Sequence, residues 1–270
     1  MAECIVVTSG KGGVGKTTSS ANLGAALALA GKRVVVVDAD IGLRNLDVIL
    51  GLENRIVYDL VQVIEGECRL KQALIRDKRV EGLYLLPAAQ TRDKNSVNPE
   101  EMKKLVDELK ADHDIVLIDC PAGIEQGFKN SIAGADRALV VTTPEVSAIR
   151  DADRIIGMIE AHGLPEPELL INRYRPSMVQ RGDMMNRDDI LEILAIRLLG
   201  IVPEHEDVVV SANRGEPAVF DDTSPVGAAY HRIARRLAGE DVPVPDYDAD
   251  PGFWKTFMRW MGMAPIREVV

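Results

Sequence analysis

The order strand, glycine-rich turn, helix at the start of the chain constrains its fold more than any other feature. Residues 3–9 (ECIVVTS) read as a buried strand, and residues 17–30 as a packed helix of small and apolar residues. Between them, Gly10-Lys11-Gly12-Gly13-Val14-Gly15-Lys16-Thr17 fits the phosphate-loop pattern G-x-x-x-x-G-K-[ST], with an additional lysine directly after the first glycine. Glycines let the backbone turn tightly and aim successive N–H groups at phosphate oxygens, and the helix beginning near Lys16 points its positive end at the same anion. Lys16 reaches the terminal phosphates, and Thr17 offers its hydroxyl to a Mg2+ that takes oxygen ligands and keeps several waters. The nucleotide-binding set is Gly10 through Thr17 together with Thr18 in the first helical turn. Two cations, Lys11 and Lys16, serve one phosphate site.

Further strand-like runs recur at 33–40, 83–88, 114–119, 138–143, 169–174 and 198–203, each separated by a helix-like segment. This alternation predicts an α/β fold, a doubly wound and mostly parallel sheet with helices on both faces and ligands at the carboxyl ends of the strands. With 270 residues and 46% apolar composition, one such domain over 1–240 has an ample core. The formal charge of −10 disfavours non-specific nucleic-acid binding, which needs a basic surface. Cys4, Cys68 and Cys120 form no C-x-x-C pair, so neither a disulfide framework nor a zinc or iron–sulfur site is suggested. The N-terminus opens straight into a strand and no apolar stretch is long enough to span a bilayer, which leads to the expectation of a cytoplasmic protein.

The remaining parts of a phosphoryl-transfer site are sought at the other strand ends. The second strand closes on Asp38-Ala39-Asp40, and DIVLIDCPAG (114–123) closes on Asp119, followed by Gly123 in a segment able to move. Carboxylates there order metal waters or position an attacking water; the competing role is a helix cap or loop carboxylate. The metal set is Thr17, Asp38 and Asp119, and the catalytic set Lys11, Lys16, Asp40 and Asp119. Asn172, at a strand end, carries an amide that can both donate to and accept from a purine edge; the alternative is a turn residue.

From residue 241 the chain changes character. Residues 241–252 hold Pro243, Pro245 and Pro251 among acids and read as a flexible extended linker. Residues 253–263 follow, with both tryptophans of the protein. On a helical projection Phe253, Trp254, Phe257, Met258, Trp260 and Met261 fill an arc of roughly 160°, opposite Lys255 and Arg259. That is the pattern of an interfacial membrane helix, or equally of a terminal helix docked on the body. Pro265 ends it, leaving a tail at 264–270.

The loop KGGVGKT, the Asp-Ala-Asp strand end, Ile41-Gly42-Leu43-Arg44-Asn45-Leu46-Asp47 and Asp119-Cys120-Pro121-Ala122-Gly123 together resemble the deviant Walker A ATPases. Within them the chain is most similar to the septum-site-determining MinD family. Gln90-Thr91-Arg92-Asp93-Lys94, Pro144-Glu145-Val146-Ser147, Arg150-Asp151-Ala152-Asp153-Arg154, Gln180-Arg181-Gly182-Asp183-Met184 and Gly215-Glu216-Pro217 agree with it. The resemblance implies an ATP- and Mg2+-dependent sandwich dimer in which Lys11 acts on the partner subunit's phosphates and Lys16 on its own. It implies that Asp40 positions the attacking water and Asp119 supports the metal, with slow basal hydrolysis. It also implies a C-terminal membrane-targeting helix, a MinC-like division inhibitor, a MinE-like or other topological activator, and partner contacts at Arg150, Asp151 and Asp153, where an ordinary charged helix face is the alternative. Such a protein works in the cytoplasm at the inner face of the cell membrane, or at the stromal face of a plastid's inner envelope. A ParA-like ATPase for DNA or cargo partitioning shares the fold and is the competing reading; the acidic charge and aromatic tail weigh against it.

Overall fold

The computed structural model describes residues 2–93 and 96–248. β1 (Glu3–Thr8) runs through the glycine-rich loop into α1 (Lys16–Leu29), and β2 (Val34–Asp38) follows. Short helices α2 (Leu46–Ile49), α3 (Leu60–Ile64) and α4 (Leu70–Ala73) lead to β3 (Ile75–Arg76) and β4 (Leu83–Leu86). Regular alternation resumes with α5 (Pro99–Asp112), β5 (Ile115–Asp119), α6 (Gln126–Ile132), β6 (Arg137–Thr142), α7 (Val146–Ala161) and β7 (Glu168–Tyr174). Then come α8 (Pro176–Gln180), α9 (Arg187–Leu194), β8 (Arg197–Pro203), α10 (Asp207–Arg214) and α11 (Pro225–Leu237).

The strands form one sheet in the order β3-β4-β2-β5-β1-β6-β7-β8. Every neighbouring pair is parallel except β3 with β4. Strand side chains alternate between two buried layers. Val35, Val37, Val116, Ile118 and Val140 join the core under α5, α6, α7 and α9. Val34, Val36, Leu117, Leu139 and Val141 join the core under α1 and α11. Two covered faces explain why the strands read as continuous apolar runs and not as alternating ones. The chain folds out in both directions from β1, so the crevice at the carboxyl ends of β1, β2 and β5 is the topological switch point.

The strands expected from sequence all form. The two-residue antiparallel edge strand β3 and the helices α2 to α4 were not separately foreseen, because each is too short to carry a period of its own. Residues 241–248, expected as a flexible linker, are extended but lie against the body. Val244 and Tyr247 pack on the α5–α7 side of the core, and buried Arg236 donates to the carbonyls of Val242 and Pro243 at 3.2 and 3.1 Å. The physical reason is that an extended segment whose Pro243 and Pro245 lack N–H donors still offers its carbonyls to a buried guanidinium. The remainder of that linker, the aromatic segment 253–263, the tail 264–270 and Lys94 lie outside the described residues.

α1 sets the position of the glycine-rich loop. Its small residues are buried along nearly the whole helix, between the sheet on one side and α11 on the other. A Cβ on Gly24 would lie 2.4 Å from Val36 Cγ2, so the helix approaches β2 closer than any other residue permits. Ser19 Oγ and the buried Tyr230 hydroxyl, 2.9 Å apart, share a hydrogen bond that ties α1 to α11. Overpacking against a stiff valine costs about 1–3 kcal/mol, more than the roughly 1 kcal/mol that alanine's helix propensity returns. Gly24→Ala therefore lowers stability in urea denaturation and Gly24→Val lowers it further; unchanged stability in both would contradict this packing.

Candidate nucleotide site

The loop between β1 and α1 is held in shape from both sides. Gly13 and Gly15 adopt φ of +78° and +97°, the left-handed region that only glycine enters freely. A Cβ on Gly10 would lie 2.1 Å from the Asp151 carbonyl oxygen, so the first glycine lets the loop rest against the backbone of α7. A Cβ on Gly15 would lie 2.2 Å from Asn172 Nδ2. Ser9 Oγ donates to the Lys11 carbonyl at 2.8 Å. Asn172 is buried, and its Nδ2 donates to the Val14 carbonyl at 2.8 Å. The residue read as a candidate for the base is thus, in this structure, a brace beneath the loop.

The two lysines occupy different environments. Lys16, at the first turn of α1, is buried and lies close enough to Asp119 to act on its charge. Lys11 is near the surface, its Nζ 3.0 Å from Ser147 Oγ and 3.4 Å from Glu145 Oε2 at the start of α7. Neither contact partner was identifiable from sequence beyond the stretch 144–147 as a whole.

Asp38 and Asp119 stand side by side in register at the ends of β2 and β5, and both are buried. Asp38 Oδ1 accepts from the Asp40 N–H at 3.0 Å, and Oδ2 accepts from the N–H groups of Asn45 and Leu46 at 3.3 Å each. It therefore organises the loop that carries Asp40. Asp119 Oδ1 accepts from the Ser20 hydroxyl at 2.9 Å, and the Thr17 hydroxyl is near enough to favour its charged form. Ser20 was missed from sequence; its signal was its place three residues beyond Thr17, on the same helix face. Asp47 is used structurally, with Arg44 Nε at 2.7 Å. On α7, Arg150 and Asp153 are exposed, and Asp151 is half-buried beneath Gly10.

Burial and the neighbouring Asp119 carboxylate push Asp38 up to about 7 from an ordinary 3.8. Burial likewise pushes Asp119 up to about 6, with the hydroxyls of Thr17 and Ser20 and the Lys16 ammonium pulling it back. Two buried acids that resist ionisation together suit a place where a cation and phosphates arrive. The donor set fits Mg2+ bound through phosphate and water: one hydroxyl at Thr17 and carboxylates behind it. Among the described residues no cluster of three or more His, Cys, Asp or Glu forms an all-protein cage.

In the folded chain these two acids hold protons that the unfolded chain releases above about 3.8. Their contribution to stability is fully present below that value and is lost as pH rises through about 6 and about 7. Without nucleotide or divalent metal, the stability of Asp38→Asn relative to wild type therefore rises between pH 5 and pH 8 in urea titrations. A difference that stays constant or falls over that window would contradict the placement of this pair.

Residues 5–218 match the family model described as the CobQ/CobB/MinD/ParA nucleotide binding domain. The septum site-determining protein MinD of Bacillus subtilis is 58% identical over 246 residues, covering 90% of this chain and 92% of the relative. Among solved structures, the MinC:MinD cell division protein complex of Aquifex aeolicus matches with a TM-score of 0.86 at 50% identity, over 91% of this chain and all of that one. The MinD of Pyrococcus horikoshii, complexed with Mg-ADP, matches with a TM-score of 0.81 at 29% identity, over 90% of this chain and all of that one. The loop braced by Asn172, the acids at β2 and β5 and these likenesses agree: the chain belongs to the septum site-determining MinD family of nucleotide-binding ATPases.

Proposed function

We propose that this ATPase is a localisation switch for division-site selection: it dimerises around two ATP molecules, binds the membrane through residues 253–263, and there recruits a MinC-like inhibitor of division-ring assembly. The observation that carries the reading is the surface around the loop mouth. Leu43, Ile124 and Val146 are 60%, 50% and 59% exposed, on the segments that follow β2, β5 and β6 at one sheet edge. Lys11 lies at the same edge, held by an exposed hydrogen bond to Ser147 and a half-exposed ion pair to Glu145 that is worth about 1 kcal/mol or less. Apolar side chains around a cation that little energy retains suit a face that closes on another subunit.

Within one subunit the loop amides and Lys16 bind and orient the phosphates, and Thr17 holds the metal with Asp119 behind it. Bound Mg2+ supplies neutralisation of charge on the transferring phosphoryl group. Asp40, on the loop that Asp38 organises, positions the attacking water, and Lys11 reaches the partner subunit's phosphates. The acceleration is electrostatic, from donors fixed before the reaction begins. Turnover is slow until a MinE-like or other topological factor acts, and Arg150, Asp151 and Asp153 beside the loop supply contacts for such partners.

The aromatic segment is short and carries few basic residues. Lys255, Arg259 and Arg267 add about 1 kcal/mol each at an anionic surface, so one copy binds weakly. Two copies presented by a dimer bind firmly through effective concentration, and ATP thereby controls location at the inner face of the cell membrane. A chain ending at residue 252 is expected to bind ATP as the full chain does, yet fail to sediment with acidic liposomes in its presence. Undiminished sedimentation would overturn the membrane reading.

A further inference from the structure

β7 ends in an irregularity with a clear consequence. Its pairing with β8 steps from Ile171 opposite Ile201 to Tyr174 opposite Pro203, so β7 spends one residue more than its partner. Within that step Arg173 has φ +56°, a left-handed conformation uncommon for a residue with a side chain. In a regular strand Tyr174 would share a face with Asn172. The extra residue turns Tyr174 onto the opposite face, where it joins Leu169 and Ile171 in the core. Two residues of one strand end therefore serve opposite faces: Asn172 braces the phosphate loop at Val14, and Tyr174 faces the segment after α11.

That segment is fastened at several points. Arg236 Nε donates to the Leu199 carbonyl of β8, and its other end holds Val242 and Pro243. Gly200 makes room for this guanidinium, since a Cβ there would lie 2.7 Å from Arg236 Nη2. The Tyr247 ring lies 6.1 Å from that of Tyr174, and its hydroxyl accepts from Arg232 at 3.4 Å. Tyr174, itself fully buried, donates its hydroxyl to Asp248 Oδ1 at 2.5 Å and accepts from the Arg187 N–H at 3.2 Å. The strap thus carries the chain from α11 to the nucleotide edge of β7.

We propose that residues 242–248 are a docked strap whose seating is coupled to the nucleotide loop through Asn172, Arg173 and Tyr174. The loop cannot change shape around a phosphate without shifting Asn172, because the amide fills the space above Gly15. The left-handed residue at 173 leaves little slack between Asn172 and Tyr174, so that shift reaches the strap. Coupling of this kind is reciprocal: what nucleotide does to the strap, loss of the strap does to nucleotide affinity. The inference rests on the nucleotide site alone, not on dimerisation or membrane binding.

Hydrogen exchange of the full chain tests it, read at the amides of Val242, Val244, Asp246, Tyr247 and Asp248 with and without Mg-ADP. Mg-ADP is expected to change protection of these amides in wild type. Tyr174→Phe and, with no core group altered, Asp248→Ala are expected to speed their exchange and to shift Mg-ADP affinity by about fivefold or more, the lower end of ordinary site–site coupling. Protection of β1 and β5 amides serves as the check that the variants are folded. Strap exchange indifferent to Mg-ADP, or faster exchange in both variants with unchanged Mg-ADP affinity, would overturn the coupling. Strap exchange unaffected in both variants would overturn the docking itself.

Discussion

Two carboxylates buried side by side at the ends of β2 and β5 are the constraint around which the site is built. Neither can ionise cheaply beside the other in a dry environment, and the chain answers with groups that make their charge tolerable. Three backbone N–H groups of the loop 40–46 close on Asp38, and the Ser20 hydroxyl of α1 closes on Asp119. In doing so the acids fix the loop that holds Asp40 and the turn that starts α1. The pair needs a cation nearby, and Lys16 is the one the chain itself provides. A metal with its phosphates completes the balance, which is why a nucleotide site belongs at this crevice.

Much of this was legible in the residues. The valine run 34–37 and the IVLID of β5 announce strands covered on both faces, and a glycine-rich loop between strand and helix announces phosphate binding. Gly24 reads as small in the sequence, but only the structure shows that Val36 leaves it no room. Other features carried no local signal. β3 has two residues, too few for a period to show. Arg173 in a left-handed conformation is imposed by tertiary packing, because an arginine has no preference for it that a reader of sequence could use. The docking of residues 242–248 depends on Arg236 and Tyr174, far along the chain from it in one case, and composition alone suggested an unattached linker.

Asn172 shows how a side-chain amide carries a structural role that its chemistry alone does not announce. Its amide was expected at a purine edge for its mixed donor and acceptor character; the structure places the donor under the loop. The same group thereby links the loop to the bulge in β7, and the bulge to the strap that leads toward the aromatic C-terminal segment. Loop, strand end and strap form one continuous path of contacts. The surface beyond them differs in kind: exposed apolar side chains and a loosely held Lys11, with little to keep that lysine at Glu145 and Ser147.

The central claim is that Lys11 converts bound ATP into association of two chains, and its most direct test is the solution mass of wild type and Lys11→Ala by light scattering at saturating Mg-ATP. The account predicts that wild type doubles in mass with ATP and not with ADP, while Lys11→Ala binds ATP and remains at the mass of one chain. A Lys11→Ala protein that doubles in mass as wild type does would contradict it.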